Sequence, residues 1–493
     1  MPVNPRTPVL VAHGQVNHRE AAQDNTLEPV DLMAAAAREA AGARVLGAVD
    51  SIRVVNVLSV HYRDPALLLG QRLGIDEFTT RYSGIGGNVP QTLVNRACMD
   101  IQQGSADVVL LAGAEMWRTR TQLRAAGQRL TCTAQDDSIP QPEGSNENVP
   151  MAGEAEIRIK LDRPAYIYPM FEQALRVSTG ESVDDHRKRV SELWARFNKV
   201  AVQNPHAWIR KPVTAEEISQ AGPMNRMISW PYPKLMNSNN MVDQGAALIL
   251  TSVEAATRLG IPTEQWVYPY AGTDAHDTYS ISERAELHAS PAIRIGGTRA
   301  LELAGFGIDD MDYVDLYSCF PSAVQVAANE LGLPADDPAR PLTVTGGLTF
   351  AGGPWNNYVA HSIAAMAQLL TDNPGRHGLV TANGGYLTKH SFGVYGTEPP
   401  KTEFRWEDVQ PAVDREPTRT AAVEWEGVGT VEAWTTPFDR EGQPERAFVA
   451  VRTPDDRRTL ALIADPDAAA ATVQQDIGGA KVKVAGDGSA TLQ

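Results

Sequence analysis

A glycine-rich segment around residue 87 has the composition of a site for a carbonyl oxygen or a small anion. The segment 84–90 reads GIGGNVP and leads into 91–103, which has helical periodicity. Backbone N–H groups at the start of a helix have no partner within the helix, and glycine lets a ligand approach them closely. The alternative is a tight loop that binds no ligand.

The cysteines give little support for a metal site or a disulfide framework. Cys98, Cys132 and Cys319 are odd in number, and no pair has CxxC spacing. We therefore expect no bound metal and a reducing, cytoplasmic compartment. Cys98 falls late in the predicted helix, where a small buried side chain is a better interpretation than a nucleophile.

Composition narrows the classes of function. The 493 residues are 43% hydrophobic, which indicates two or three domains with real cores. A formal net charge of −16 argues against binding to nucleic acid or to an anionic membrane. No apolar run approaches the ~20 residues that a membrane span needs.

The elements that must position any site follow an alternating strand–helix pattern. Apolar β-branched runs predict buried strands, and between them lie amphipathic helices, as in a mostly parallel sheet. A polar excursion at about 118–225 interrupts the first block, 1–253, and a second block occupies 254–402. Residues 403–493 contain several short strands and turns, which predict a small β-rich, OB-like barrel. The strands that the sequence predicts include Val54–Val60 and Asp107–Ala112 in the first block and Ala421–Glu426 in the C-terminal region.

Four segments together resemble the thiolase superfamily, closest to its sterol-carrier-type branch. Residues 104–116 (GSADVVLLAGAEM) resemble the strand that ends in the family's GG-x-E-S-M turn. Residues 225–250 resemble the return from the family's loop domain to the sheet. Residues 314–320 (VDLYSCF) and 345–354 (TGGLTFAGGP) occupy the places of its Asn-Glu-Ala-Phe and Gly-His-Pro boxes. The resemblance implies a five-layered α/β fold of two similar βαβ halves with mixed sheets. The additional C-terminal region is similar to that of thiolase-like protein type 1.

The resemblance also shows what is missing. A thiolase places a nucleophilic cysteine at the start of a helix, and the corresponding position here is Gly87. The family's histidine corresponds to Gly353. Tyr317 occupies the place of the Asn or His of the second box, where a phenol could donate a hydrogen bond to a carbonyl oxygen or act as an acid or base. A purely structural tyrosine is the alternative.

Other positions are implied in substrate binding. The family's last Cys-Gly motif corresponds to Asn383 and Gly385, and the backbone N–H of Gly385 would form part of an oxyanion hole. His390 is a candidate acid or base, with a structural role as the alternative. The binding residues implied by the resemblance also include Gly86, Asn88 and Gly352.

The resemblance implies a protein of lipid metabolism that handles acyl-coenzyme A, with acetyl-CoA acetyltransferase ancestry and a degenerate active site. Without the cysteine and histidine, we expect non-covalent carbon–carbon cleavage or formation. Thiolase-like retro-aldolases, which use tyrosines and a partner with an OB-type barrel, are similar. The alternative is a non-catalytic carrier of acyl-CoA or a lipid thioester. A coenzyme A thioester would be the ligand, and no separate cofactor is expected. The core could pair as a homodimer, or stay monomeric if the C-terminal region blocks that contact.

Overall fold

A computed structural model describes residues 3–19, 26–144 and 149–493. The strands are β1 (Pro8–Asn17), β2 (Ser51–Val54), β3 (Thr79–Tyr82), β4 (Val108–Met116), β5 (Met227–Trp230), β6 (Tyr232–Pro233), β7 (Asp243–Ser252), β8 (Tyr268–His276), β9 (Tyr313–Asp315), β10 (His377–Gly384), β11 (Lys389–Gly396), β12 (Arg405–Asp408), β13 (Gly427–Pro437), β14 (Ala447–Arg452), β15 (Arg458–Ile463), β16 (Lys481–Val484) and β17 (Ala490–Leu492). The α-helices are α1 (Pro29–Ala40), α2 (Ala43–Leu46), α3 (Pro65–Leu73), α4 (Val89–Gln103), α5 (Trp117–Ala125), α6 (Glu154–Arg158), α7 (Pro164–Thr179), α8 (Val183–Gln203), α9 (Ala215–Ser219), α10 (Val253–Arg258), α11 (Pro291–Ala304), α12 (Pro321–Leu331), α13 (Gly347–Phe350), α14 (Tyr358–Asp372), α15 (Gln410–Val413) and α16 (Pro466–Gln474).

Two mixed sheets share a run of four strands with one topology. The first sheet has the order β1-β7-β4-β2-β3, with β1, β7 and β4 antiparallel to their neighbours in turn and β4, β2 and β3 parallel. The second has the order β12-β8-β11-β10-β9, in which β8, β11 and β10 are antiparallel in turn and β10 and β9 are parallel. The run β1-β7-β4-β2 thus matches β8-β11-β10-β9, while the fifth strand differs: β3 extends the first sheet beside β2, and β12 extends the second beside β8, parallel to it. The matching runs confirm two similar βαβ halves, which were not visible as a sequence repeat.

Helices α4 and α14 form a layer between the two sheets. Both pack on strands of each sheet and on each other, while α1 covers the outer face of the first sheet and α11 that of the second. Helix α14 is apolar over most of its surface, as burial between two sheets favours, whereas α4 also buries the polar side chains of Gln91 and Asn95. The predicted five-layered α/β class is confirmed.

The excursion between β4 and the strands before β7 is helical. It contains α5, α6, α7, α8 and α9, of which α7 and α8 are long and amphipathic. Helix α7 packs against α12 of the core on one side and against β13 of the C-terminal region on the other. The bounds of the domains remain a prediction.

The C-terminal region is built on a third, antiparallel sheet. Its order is β15-β14-β13-β16-β17, and β13 also pairs with β5, just before the return to the core. An isolated bridge between Leu462 and Ser489 joins the first and last strands of this order. The β-rich character of the C-terminal region is confirmed. Its strands follow an open order, and the bridge between Leu462 and Ser489 connects the two ends of that order.

A buried arginine fixes this sheet to the core. The side chain of Arg458 is fully buried and makes a bidentate pair with Glu432, with both N···O distances 2.7 Å. Its remaining N–H groups donate to main-chain carbonyls of the segment 281–285 that follows β8. The guanidinium thus connects the C-terminal sheet to a core segment with charge-assisted hydrogen bonds.

Two predicted strands are wrong. Of Val54–Val60, only Val54 lies in a strand, because the chain leaves the sheet after Val55 and the N–H groups of Leu58 and Ser59 donate to the buried carboxylate of Glu115. Ala421–Glu426 forms an isolated bridge at Ala421 and a turn rather than a strand. In the first segment the β-branched Val55 and Val57 are buried by packing outside the sheet, and in the second Ala422 is buried while Val423 is only half-buried.

We expect Arg458→Met to lower the free energy of unfolding by about 3 kcal/mol, since among the described residues it leaves the largely buried Glu432 with Arg452 alone as an ion-pair partner. Urea denaturation followed by tryptophan fluorescence measures this change. The adjacent, partly exposed Arg457 supplies the matched control, Arg457→Met. Equal effects of the two substitutions would show that Arg458 does not anchor the sheet.

Candidate functional site

A cavity of about 590 Å³ opens where the loop before α4 meets the β10–β11 hairpin and helix α7. Its walls come from both halves of the core and from the helical excursion. Mostly apolar, they also carry hydroxyl and amide groups, together with the guanidinium of Arg163 and the amine of Lys389. Of the predicted site residues, the cavity brings together Gly86, Gly87, Tyr317, Asn383 and Gly385.

The hydroxyl of Tyr317 fills the space that a side chain at residue 87 would need. A Cβ added to Gly87 would overlap Tyr317 Oη and the main-chain carbonyl of Asn383, and would lie 2.9 Å from Tyr317 Cζ. Gly87 immediately precedes Asn88, the N-cap residue of α4. The phenol therefore stands beside the start of this helix, where the resemblance puts a nucleophile.

The surroundings of Tyr317 keep it protonated. Its ring packs edge-on against Tyr358 with a centroid distance of 5.5 Å, and its N–H donates to Thr381 Oγ1. Burial, and to a lesser degree Cys319, raise the pKa of Tyr317 well above its ordinary value. Within the described parts of the chain its hydroxyl forms no hydrogen bond. Such a phenol can donate to a ligand oxygen and is a poor base.

The β10–β11 turn supplies the opposite wall. Tyr168 of α7 donates its hydroxyl proton to the carbonyl of Gly385, at 3.1 Å, and accepts from Leu387 N–H and Asn383 Nδ2. Gly385 has φ +72, and a Cβ there would overlap Met151 Cε. The positive φ favours glycine at this turn, while the flexible end of Met151 could move to admit a Cβ.

Neither buried cysteine is activated. Cys319 lines the cavity, but burial raises the pKa of its thiol to about 12. Cys98 is fully buried within α4, and burial raises its pKa further. Raised pKa values favour the protonated form of both thiols near neutral pH, and a protonated thiol is a weaker nucleophile than a thiolate.

Gly352 and Gly353, which occupy the place of the family's Gly-His-Pro box, do not line the main cavity. A Cβ on Gly353 would overlap Ser238 Oγ and lie 2.9 Å from Asn240 Oδ1, while one on Gly352 would overlap Gln244. Ser238 and Asn240 line the cavity and are hydrogen-bonded to each other at 2.8 Å. They were missed in the sequence because they belong to the return segment rather than to a box.

His390 and Asn88 border a neighbouring cavity of about 320 Å³ and not the main one. His390 is 2% exposed, and its Nε2 lies 3.5 Å from Asp277 Oδ2. Burial would raise the pKa of Asp277, but His390, Arg284 and the hydroxyl of Ser290 together lower it. His390 thus lies beside a buried carboxylate and does not line the main cavity.

Lys389, next to His390, lines both cavities. Successive side chains of a strand point to opposite faces of the sheet. Lys389 therefore faces the main cavity, while His390, the next residue of β11, faces away from it. Within the described ranges no group of three or more His, Cys, Asp or Glu side chains is arranged to hold a metal, and none of the helices there is long and apolar enough to cross a membrane.

Comparisons with known proteins agree with the fold and the additional region. Residues 273–397 match the family described as thiolase C-terminal domain-like, and residues 408–489 match the thiolase-like protein type 1 additional C-terminal domain. The crystal structure of a monomeric SCP2-thiolase-like protein type 1 from Mycobacterium smegmatis is 33% identical, with a TM-score of 0.83 and coverage of 100% of both chains.

Two further relatives share less. The 3-oxoadipyl-CoA/3-oxo-5,6-dehydrosuberyl-CoA thiolase of Escherichia coli (strain K12) is 32% identical over 146 residues, which are 29% of this chain and 33% of that protein. The chain thus spans a third of the length of the curated relatives it matches. The Ltp2-ChsH2(DUF35) aldolase structure, 18% identical with a TM-score of 0.59, covers 80% of this chain and 98% of that chain, and shares the fold alone.

We expect Gly87→Ala to lower the free energy of unfolding by about 1–3 kcal/mol, because its methyl group overlaps Tyr317 Oη and the Asn383 carbonyl. In a Tyr317→Phe background the loss should shrink by about 1 kcal/mol, since the overlap with the hydroxyl is gone while those with the Asn383 carbonyl and with Cζ of the ring remain. Urea denaturation of the double-mutant cycle measures this coupling. Gly222→Ala, which has open space around its Cβ, is the control. Additive effects would contradict the overlap.

Glu115 should make stability depend on pH. Burial raises the pKa of Glu115 to about 7, although the N–H groups of Leu58 and Ser59 partly oppose this. The folded state then holds a proton that the unfolded state has lost, so stability is greatest below the ordinary glutamate pKa and falls as pH rises toward 7.

Between pH about 5 and about 8, the unaltered chain should lose about 3 kcal/mol of stability that Glu115→Gln does not lose. Chemical denaturation at a series of pH values measures this difference. The exposed Glu254 provides the control, Glu254→Gln, which should keep the pH slope of the unaltered chain. An unchanged slope in Glu115→Gln would show that Glu115 does not titrate in this range.

Proposed function

The chain belongs to the thiolase superfamily, as a thiolase-like protein type 1, and from this premise we propose that it binds acyl-coenzyme A thioesters in the main cavity. The acyl chain packs against the apolar walls of this cavity, and the thioester carbonyl lies beside Tyr317 and the start of α4. Thioester carbonyls accept hydrogen bonds, and a donor held in place without solvent competition stabilises developing negative charge most effectively.

The position of the Tyr317 hydroxyl is the observation that carries this proposal. It occupies the space of a side chain at residue 87, and its high pKa keeps its proton available for donation. A ligand carbonyl in the cavity would meet a phenol instead of a nucleophile. The two buried thiols, both with raised pKa, offer no substitute.

The chemistry that fits these groups is non-covalent cleavage or formation of a carbon–carbon bond. In a retro-aldol cleavage the bond between C2 and C3 of a 3-hydroxyacyl thioester breaks, and the charge moves to the thioester oxygen. A hydrogen-bond donor such as Tyr317 stabilises this enolate without forming an acyl-enzyme. The shared fold with an aldolase is consistent with this proposal.

The C-terminal region would act through helix α7. Tyr166 of α7 stacks on Phe448 of β14 at 5.7 Å, and Arg176 makes a bidentate pair with Asp476, with N···O distances of 2.7 and 2.9 Å. The same helix carries Tyr168 into the cavity wall. The region thereby holds the lining of the cavity, a role comparable to the partner barrel of the aldolases.

A carrier of acyl-CoA without turnover is the second candidate. The observation in its favour is the placement of His390, which is buried against Asp277 and outside the main cavity. Without that histidine the cavity still offers apolar volume and hydrogen-bond donors, which suffice for binding.

Mass spectrometry with a panel of acyl-, 3-oxoacyl- and 3-hydroxyacyl-CoA thioesters tests both candidates. In native spectra we expect a monomer with one bound thioester, and in denaturing spectra we expect no adduct. Loss of one hydrogen bond in Tyr317→Phe should weaken binding about 3- to 10-fold and slow cleavage by about 100-fold.

The exposed thiol variant Cys132→Ser serves as the control and should behave as the unaltered chain. Binding with no cleavage of any thioester would favour the carrier. A covalent acyl adduct on a cysteine would contradict the non-covalent proposal, and absence of binding would contradict both candidates.

A further inference from the structure

Lys389 places an amine in the wall of the main cavity, beside the loop that precedes α4. It is the first residue of β11 and pairs across the hairpin with Gly384. Its Nζ donates to the carbonyl of Ile85, and a Cβ added to Gly86 would lie 2.9 Å from Nζ and 3.1 Å from Cε. The Lys389 amine therefore lies against Gly86 as the Tyr317 hydroxyl lies against Gly87.

In the part of the chain that the structure describes, no carboxylate neutralises this amine. Within the described residues, no Asp or Glu oxygen lies within ion-pair distance of Lys389 Nζ, and its hydrogen bond is to a neutral carbonyl. Burial alone lowers the pKa of Lys389. A partly buried ammonium without a counter-charge is destabilised relative to the neutral amine, which is a competent proton acceptor.

The surrounding charges are mixed. The other charged and titratable side chains that line the two cavities sharing Lys389 are Arg163, the N-cap residue before α7, Arg81 from β3, Arg96 from α4, Asp274 and His276 from β8, His390 from β11, Asp408 from β12, Cys319 and Tyr317 after β9, Tyr168 from α7, Tyr279, and Tyr386 of the hairpin turn. The carboxylate of Asp274 already accepts from Thr92, Asn95 and the indole of Trp406.

We propose that Lys389 is the proton-transfer residue of the main cavity, acting on the 3-hydroxyl and on C2 of acyl thioesters. This role rests on the non-covalent carbon–carbon chemistry proposed above. The neutral amine takes the 3-hydroxyl proton, the O–C3 bond becomes a carbonyl, and the C2–C3 electron pair becomes the thioester enolate held by Tyr317. The ammonium then returns the proton to C2, which gives a shortened acyl thioester and a free aldehyde or ketone. No oxidant, reductant or further reactant is needed.

The second half of this sequence can be observed without knowing the natural substrate. Run in reverse, the amine removes a proton from C2 of a bound acyl thioester, and in heavy water that position gains deuterium. Propanoyl-CoA is the probe, and the loss of its C2 proton signal in the ¹H NMR spectrum is the measurement. We expect the full chain to catalyse this exchange, with a rate that rises with pH to an apparent pKa below that of an ordinary lysine.

Two variants separate proton transfer from support of the loop. Lys389→Gln keeps a donor for the Ile85 carbonyl but has no basic group, and it should slow exchange by at least about 100-fold. Lys389→Arg keeps the charge and cannot deprotonate, so it should be equally slow. The exposed Lys401 gives the control, Lys401→Gln, which should exchange as the unaltered chain does. Circular dichroism verifies that each variant is folded.

Exchange that persists in a folded Lys389→Gln or Lys389→Arg variant would overturn the role of Lys389 and leave the proposed function intact. If the unaltered chain binds propanoyl-CoA in native mass spectra but catalyses no exchange, proton transfer by Lys389 is overturned and the carrier function is favoured. If it does not bind any thioester, the proposed function itself fails. Slow exchange in both variants with preserved thioester binding supports the proposal.

Discussion

The structure of the site depends on one exclusion of volume: nothing larger than glycine fits at residue 87. The Tyr317 hydroxyl and the Asn383 carbonyl already occupy the space of its Cβ. One of these is main chain of a β-hairpin that cannot retreat without disturbing the second sheet, so the contact is a property of the fold and not only of a rotamer. The loop before α4 thus presents backbone and a phenol to the cavity, and no side chain of its own at this position.

The remaining features maintain that arrangement. Tyr168 joins α7 to the hairpin turn by three hydrogen bonds, and its ring stacks on Phe320 at 4.5 Å. Helix α7 is in turn held by the C-terminal sheet, which Arg458 fixes to the core. On the other side, the buried Glu115 carboxylate orients the loop that carries Leu58 into the cavity wall. Supporting the site therefore requires all three sheets.

Much of the fold was predictable from the sequence. The predicted strand Asp107–Ala112 is present as β4, which runs four residues further, to Met116, and the thiolase resemblance is confirmed by the relative that matches the whole of this chain. The strand β11 was missed because its residues, among them Lys389 and His390, do not alternate in polarity when both faces are buried. For the same reason the face to which each side chain of β11 points could not be predicted from the sequence. The sequence analysis proposed His390 as the candidate acid or base, but the residue that lines the main cavity is Lys389. The overlap at Gly87 is equally invisible in sequence, since the residues that create it are more than 200 positions away.

The most direct measurement is a crystal structure of the full chain with acetyl-CoA. The account predicts the thioester in the main cavity, its carbonyl oxygen within hydrogen-bond distance of Tyr317 Oη, and no bond to any sulfur of the protein. A thioester bound elsewhere, or an acyl group joined to Cys319 or Cys98, would contradict the claim that a phenol has taken the place of the nucleophile.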